Sequence, residues 1–163
     1  MNMKESLKLE IDLILRKSIW IKKMIQIYDF VFFNEGIESI IGRNVHISVF
    51  SSIIGGRLII KDFSGLSAGY RIIIGSDDFT GVSLTNLAIP KEYRNITISS
   101  ITIGKYVILG SNVVVMLNVT IGDGCIVSAG SIINKDLESW SIYAGYNPRK
   151  IGTRDKEQVL KLE

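Results

Sequence analysis

The chain has 163 residues and a formal net charge of +3, and isoleucine alone occurs 29 times. This length fits one domain with a full hydrophobic core. The net charge is small, and no aromatic residues are interleaved among basic runs. These features argue against a nucleic-acid-binding protein. A single cysteine, Cys125, cannot form an internal disulfide. We therefore expect a reducing, cytoplasmic compartment and a buried structural thiol.

Residues 1–34 differ in composition from the rest and are expected to cap one end of the fold. No stretch within them reaches the roughly 18 uncharged residues of a membrane span, and no signal-peptide cleavage site is present. The apolar residues alternate as in a strand but also share one helix face, and of the two we favour a capping helix. Basic pairs around Trp20 leave open a peripheral contact with an anionic membrane surface.

Between residues 41 and 76, aliphatic residues recur every six positions. The first set is Ile41, Ile47, Ile53 and Ile59. A second set keeps the same spacing one residue out of phase: Ile60, Leu66 and Ile72. One extra residue is therefore expected near Gly55–Leu58.

The period of six is clearest between residues 103 and 138. The aliphatic positions are Ile103, Leu109, Val115, Ile121, Val127 and Ile133. Four residues after each of them comes another small or apolar residue: Val107, Val113, Val119, Cys125, Ser131 and Leu137. Helices repeat at 3.6 residues and strands at 2, whereas a chain that turns a corner every six residues gives this period. Three sides close one triangular coil, so the sequence predicts an all-β parallel β-helix of four to five coils over residues 35–140.

The period is lost between residues 75 and 95, in a central loop that carries SDDFTG, Asn86 and Pro90. A loop of about twenty residues in a compact domain is uncommon and usually functional, so we expect it to contribute to a site. Residues 141–163 leave the period again. They are expected to form a C-terminal extension that ends in a short helix.

A resemblance to the hexapeptide-repeat acyltransferases, and within them to the sugar acetyltransferases, is carried by three segments: ITIGKYVILGSNVVV, VTIGDGCIVSAGSIINKDL and WSIYAGYNPRKI. The SDDFTG, LTN and IP motifs are similar to the branch that decorates cell-surface polysaccharides such as O-antigen and capsule. The resemblance covers about residues 37–151. It implies a left-handed β-helix and a homotrimer, with acetyl-CoA in the groove between adjacent coil stacks and the acceptor sugar under the loop.

The resemblance also implies residues that hold the donor. Those whose backbone would line the pantetheine groove are Gly110, Ser111, Ala129 and Gly130. Those whose cations would meet the nucleotide phosphates are Lys135 and either Arg149 or Lys150. This chain departs from many relatives in lacking a histidine at the start of the central loop, and in reading GYNPR where relatives have Gly-Asn-Pro-Ala.

Acyl transfer needs a base that takes the proton of the acceptor and hydrogen-bond donors that stabilise the developing oxyanion. Both substrates must also be held in position. His46 is the only histidine and should point outward, directly after an inward residue. Asp77 or Asp78 would either orient the protonated imidazole or act as the base if burial raises its pKa. Coil arithmetic places His46 and Asp77 on different sides, so the pair would form across a trimer interface. Asn86 and Tyr93 are candidates for binding sugar hydroxyls.

The main functional hypothesis is an acetyl-CoA-dependent O-acetyltransferase acting on a sugar hydroxyl in cell-surface polysaccharide biosynthesis. Two alternatives remain: an N-acetyltransferase of an amino-sugar nucleotide, and a non-catalytic trimeric scaffold or sugar-binding protein. A carbonic anhydrase of the same architecture would need about three histidine ligands for zinc, which one histidine per chain does not supply, so no metal site is expected.

Overall fold

The computed structural model describes residues 19–21, 26–28, 31–33, 38–86 and 88–162. Over these residues the chain forms nineteen short strands: β1 (Ile19–Ile21), β2 (Gln26–Ile27), β3 (Val31–Phe33), β4 (Glu38–Ile41), β5 (His46–Ile47), β6 (Ser51–Ile54), β7 (Arg57–Ile60), β8 (Gly65–Leu66), β9 (Arg71–Ile73), β10 (Gly75–Asp77), β11 (Ile96–Ile98), β12 (Ser100–Ile103), β13 (Ile108–Leu109), β14 (Val114–Val115), β15 (Thr120–Ile121), β16 (Ile126–Val127), β17 (Ile132–Ile133), β18 (Ser141–Ala144) and β19 (Arg149–Thr153). The same residues also contain a 3₁₀ turn (Lys91–Tyr93) and one helix, α1 (Lys156–Leu160).

Three sheets form the faces of a triangular stack. Face A has the strand order β1-β4-β7-β12-β15, face B the order β2-β5-β8-β13-β16-β18-β19, and face C the order β3-β6-β9-β14-β17. Pairing within the faces is parallel, apart from that of β18 with β19. The chain passes from face A to B to C in each turn, so five complete coils are stacked among the described residues. β18 begins a sixth, together with the parallel bridges from Leu137 to Ile121 and from Tyr146 to Ile132. This parallel β-helix confirms the predicted architecture.

The residues of the six-residue period fill the interior. The six aliphatics of the second half are at most 1% exposed: Ile103, Leu109, Val115, Ile121, Val127 and Ile133. They stack in register between coils, for example Leu109 on Val127, and so form continuous aliphatic ladders. Cys125 is fully buried as predicted, its Sγ donates to the carbonyl of Glu138 at 2.7 Å, and burial raises the pKa of its thiol.

The predicted extra residue lies at Gly55 and Gly56, between β6 and β7. It shifts the inward position from Ile59 to Ile60, which is 1% exposed. Both glycines have φ in the left-handed region, at 74° and 63°, which L side chains rarely adopt. A Cβ on Gly56 would also overlap Ile74. The phase shift therefore depends on glycine here.

The first coil is made by β1, β2 and β3. They pair in parallel with β4, β5 and β6 respectively. The favoured capping helix is therefore wrong at these positions, because another turn of the β-helix supplies backbone partners to the strands below it. The rest of the expected cap, residues 1–18, 22–25, 29–30 and 34, lies outside the described residues, and so do the basic pairs considered for membrane contact.

The C-terminal segment closes the other end. β19 folds back antiparallel on β18 as the last strand of face B. Arg154, which directly follows β19, stabilises this arrangement because its Nη1 donates to the carbonyl of Tyr106 at 2.6 Å. Asp155 then caps α1 by accepting from Gln158 N at 3.0 Å, which gives the predicted short helix. In the part of the chain that the structure describes, no helix has the length and hydropathy to cross a membrane.

Candidate functional site

The central loop is a hairpin that leaves the corner between faces C and A. β10 pairs antiparallel with β11, from Gly75 opposite Ile98 to Asp77 opposite Ile96. Ser99 closes its base, because both the N and the Oγ of Ser99 donate to the carbonyl of Ile74 at 2.9 Å. The hairpin is thus fixed to the coils at its stem, and Asp77 sits at the end of that fixed part.

Asp77 is paired with Arg94 on the opposite arm of the loop. Nη2 and Nε of Arg94 donate to Oδ1 of Asp77 at 2.8 and 3.2 Å. The Arg94 side chain is 7% exposed and that of Asp77 is 20% exposed, so the pair is largely shielded from water. The contact fixes the orientation of the carboxylate. The role of Arg94 is not predictable from the sequence, because the contact spans 17 residues and depends on the hairpin register.

Asp78 builds a turn. Its Oδ1 accepts hydrogen bonds from the backbone N of Thr80 at 2.8 Å and from the Thr80 hydroxyl at 2.7 Å. These bonds, the backbone one first, hold the pKa of Asp78 below its ordinary value. A carboxylate that acts as a base near neutrality needs a raised pKa. The surroundings of Asp78 act in the opposite direction.

The two loop residues expected to meet the sugar are differently placed. Tyr93 is 60% exposed and borders a depression of about 520 Å³ between residues 81–84 and 92–95. Asn86 uses its Oδ1 to accept from the backbone N of Ala88 at 2.8 Å, and its φ is 134°. Tyr93 is therefore available to a ligand in the depression, whereas the carbonyl of the Asn86 side chain is engaged in a turn.

His46 begins β5 and points outward, half-buried, from face B. The ring of Tyr28 lies against it, with centroids 5.2 Å apart and planes tilted by 56°. Face B is opposite the corner from which the loop leaves. Among the described residues, no hydrogen bond or ion pair joins the His46 side chain to Asp77 or Asp78, which contact Arg94 and Thr80 instead. The structure therefore keeps the imidazole and the aspartates apart within one chain.

The four residues expected along the donor groove meet at the corner between faces B and C. The N of Gly130 donates to the carbonyl of Ser111 at 2.8 Å, which joins the two coils there. A Cβ on Gly110 would come within 2.5 Å of the N of Ala129, so the coils can approach this closely only at a glycine. Ser111, Ala129 and Gly130 are exposed. The corner thus presents main chain with little side chain over it.

The three candidate cations occupy different places. Lys150 forms an ion pair with Glu138 at 2.8 Å, which lowers the pKa of Glu138 and raises that of Lys150. Arg149 lies opposite Ala144 in the β18–β19 pair and so shares the outer surface of face B with it. Lys135 follows β17, at the far end of face C from Gly130. Of the three, Arg149 is the one on the outer surface of face B.

Comparison with known proteins places this geometry in a family. Residues 100–135 match the family described as bacterial transferase hexapeptide (six repeats). The chain is 33% identical over 148 residues to a dTDP-4-amino-4,6-dideoxy-D-glucose acyltransferase of Escherichia coli, covering 90% of this chain and 77% of that protein. It is 32% identical over 137 residues to the galactoside O-acetyltransferase of Escherichia coli strain K12, covering 80% of this chain and 63% of that protein.

A solved structure shows the same likeness in three dimensions. The N-acyltransferase AntD from Bacillus cereus, in complex with dTDP and 3-hydroxybutyryl-CoA, superposes with a TM-score of 0.81 and 31% identity. The match covers 88% of this chain and 77% of AntD. The resemblance noted in the repeats is confirmed, and the fold is the left-handed parallel β-helix. The chain belongs to the hexapeptide-repeat acyltransferases.

Proposed function

We propose that this protein transfers an acyl group from coenzyme A to the amine of a nucleotide-linked amino sugar. The observation that carries the proposal is the likeness, over about nine tenths of the chain, to an acyltransferase named for a dTDP-amino sugar and to an N-acyltransferase crystallised with dTDP and an acyl-CoA. The comparisons thus support the N-acetyltransferase alternative better than the main hypothesis of polysaccharide O-acetylation.

The donor would lie along the corner between faces B and C. The exposed residues Ser111, Ala129 and Gly130 have small side chains or none, so the amide-bearing pantetheine arm could approach the main chain at this corner. Arg149 on the adjoining face offers a guanidinium for the phosphates, whereas the Lys150 ammonium is already paired with Glu138. These residues fit a coenzyme A thioester.

The reaction needs a proton acceptor for the amine. As the amine nitrogen attacks the thioester carbonyl, the C–N bond forms and the amine proton passes to the base. The C–S bond breaks, and coenzyme A leaves as a thiolate that takes the proton from the base. His46 is the only histidine of the chain, and an imidazole can accept the proton in this step. Asp77, held by Arg94, is the better candidate than Asp78 for its partner, because Oδ1 of Asp78 is engaged in a turn.

The site requires a second copy of the chain if His46 and Asp77 are to meet. The central loop exposes apolar side chains to solvent: Phe79 is 83% exposed and Val82 is 79% exposed. A homotrimer in which the loop of one subunit covers face B of the next would bury such side chains and complete the site. Sedimentation of a stable monomer at micromolar concentration would contradict this assembly.

The second candidate is a sugar O-acetyltransferase. The 32% identity to the galactoside O-acetyltransferase favours it, although this chain covers only 63% of that relative. A non-catalytic scaffold is the third possibility, and release of free coenzyme A distinguishes it from both enzymes.

The test is a panel of acceptors with acetyl-CoA, followed by thiol release. We expect a nucleotide-linked amino sugar to be acylated with kcat/KM at least ~10²-fold above that of the same sugar nucleotide carrying a hydroxyl, because an amine is the stronger nucleophile. Turnover of the hydroxyl sugar alone would establish O-transfer. No release with any acceptor would favour the scaffold.

A further inference from the structure

Gly65 occupies the position beside His46 on face B. In β8 it pairs with His46 of β5 on one side and with Ile108 of β13 on the other. All three residues project outward, because Leu66, the next residue in β8, points into the core. Gly65 thus leaves a gap between an imidazole and an aliphatic side chain that is 41% exposed.

Most of the described glycines have a structural reason to be glycine. Seven have φ in the left-handed region: Gly55, Gly56, Gly69, Gly81, Gly124, Gly130 and Gly145. Four others would bring a Cβ within 2.5 Å of the next coil: Gly42, Gly104, Gly110 and Gly122. Two more, Gly75 and Gly152, would meet neighbours at an ordinary 3.6 Å.

Gly65 has neither reason. Its φ lies outside the left-handed region, and a Cβ built on it meets nothing within 4 Å. It is the one described glycine that combines an ordinary backbone with empty space. Glycine inside a strand is unfavourable relative to alanine, and such a position often marks the close approach of a ligand.

The gap is a notch one side chain deep, whose walls have different chemistry. His46 forms one wall and is itself backed by Tyr28, and Ile108 forms the other. Since adjacent strands are about 4.8 Å apart, the two wall residues are separated by about 10 Å at their Cα atoms. Ser67, two residues along from Gly65, lies on the same face and adds a hydroxyl to the rim.

We infer that Gly65 is a specificity-determining position: the notch over it receives the carbon of the acceptor that bears the nucleophile, and so brings the nucleophile within reach of His46. This inference rests on the proposed acyl transfer. A side chain at position 65 would keep that carbon away from the imidazole. It would not touch the donor corner at Ser111 and Gly130, which lies in the later coils.

The test compares Gly65→Ala and Gly65→Val with Gly152→Ala, the same substitution on the same face at a position where a Cβ makes ordinary contacts. Each variant is measured for kcat and KM of the acceptor, coenzyme A affinity, thermal midpoint and sedimentation. Because Gly65→Ala removes backbone freedom from the unfolded chain without a clash, its midpoint should rise by about 2 °C. Its kcat/KM for the acceptor should fall about 10-fold, and that of Gly65→Val about 10²-fold.

Coenzyme A affinity and assembly should remain unchanged in the Gly65 variants, and Gly152→Ala should turn over like the wild type. Wild-type turnover in Gly65→Ala and Gly65→Val would overturn the inference and leave the proposed function intact. Altered sedimentation of the Gly65 variants would also overturn it, because a neighbouring subunit would then fill the notch. A wild-type protein that acylates no acceptor would overturn the proposed function, and the inference with it.

Discussion

Arg94 holds Asp77 through a single carboxylate oxygen. Both Nη2 and Nε of Arg94 reach Oδ1, at 2.8 and 3.2 Å, and only 7% of the arginine side chain is exposed. None of the described residues donates a hydrogen bond to Oδ2 of Asp77. The guanidinium thus orients the carboxylate while leaving one oxygen for a substrate or for an imidazole from another subunit.

Replacing Arg94 with methionine should lower turnover by about 10²-fold, because Asp77 loses the group that orients it. The loop should also become more susceptible to limited proteolysis within residues 77–95, since the remaining carboxylate is partly buried without its partner. Arg94→Lys keeps the positive charge but loses the paired N–H donors of the guanidinium. Its turnover and its susceptibility to proteolysis should therefore lie between those of the wild type and Arg94→Met. Wild-type turnover in Arg94→Met would show that the pair does not serve the site.

Asp78→Asn should retain turnover within about 3-fold, because an amide oxygen can still accept from Thr80. The pKa of Asp78 is lowered in the folded chain, so its ionised form stabilises the loop above the unfolded value of about 3.9. That contribution is lost as pH falls through the folded pKa. Proteolysis of the wild-type loop by an acid protease should therefore increase below about pH 4, and the Asn variant should show less of this increase. Abolished turnover in Asp78→Asn would identify Asp78 as the base.

Arg149→Ala should weaken coenzyme A binding by about 5- to 10-fold and reduce the dependence of binding on salt, because a phosphate contact is lost. Lys150→Ala is the matched control and should change the affinity by less than about 2-fold, since that ammonium is paired with Glu138 and exposed. Titration calorimetry at two salt concentrations measures both. A larger loss of coenzyme A affinity in Lys150→Ala than in Arg149→Ala would place the phosphates against Lys150.

The thermal midpoint of Gly56→Ala should fall by more than that of Gly81→Ala. Both glycines have positive φ, at 63° and 92°, but only at Gly56 would a Cβ overlap a neighbour, Ile74. Gly81→Ala thus measures the conformational cost alone, of about 1 kcal/mol. Equal midpoints by calorimetry would show that the coils relax around the extra methyl group.

The core was predictable because its information is local and repeated. A corner every six residues puts Leu109 and Val127 in equivalent inward positions, so their burial follows from spacing alone. The shift in phase at Gly55 and Gly56 was also visible as a break in that spacing. By contrast, the strands of the first coil were obscured, since the apolar pattern ahead of residue 34 fits a helix face as well as a strand.

The site was less predictable because it depends on contacts between distant residues. Arg94 meets Asp77 only through the register of the β10–β11 hairpin, and no local pattern specifies that register. Lys150 and Arg149 are equivalent cations in the sequence and differ only once β19 folds back on β18. The empty space at Gly65 becomes visible only when the neighbouring strands are in place.

The interface site is tested most directly by combining two inactive variants. His46→Ala and Asp77→Asn should each lower turnover by ~10²-fold or more while leaving coenzyme A affinity nearly unchanged. If each site takes His46 from one subunit and Asp77 from the next, co-expression in equal amounts restores both groups at about a quarter of the interfaces. We expect turnover near a quarter of the wild-type value for the co-assembled protein. Turnover no higher than that of either variant alone would contradict it.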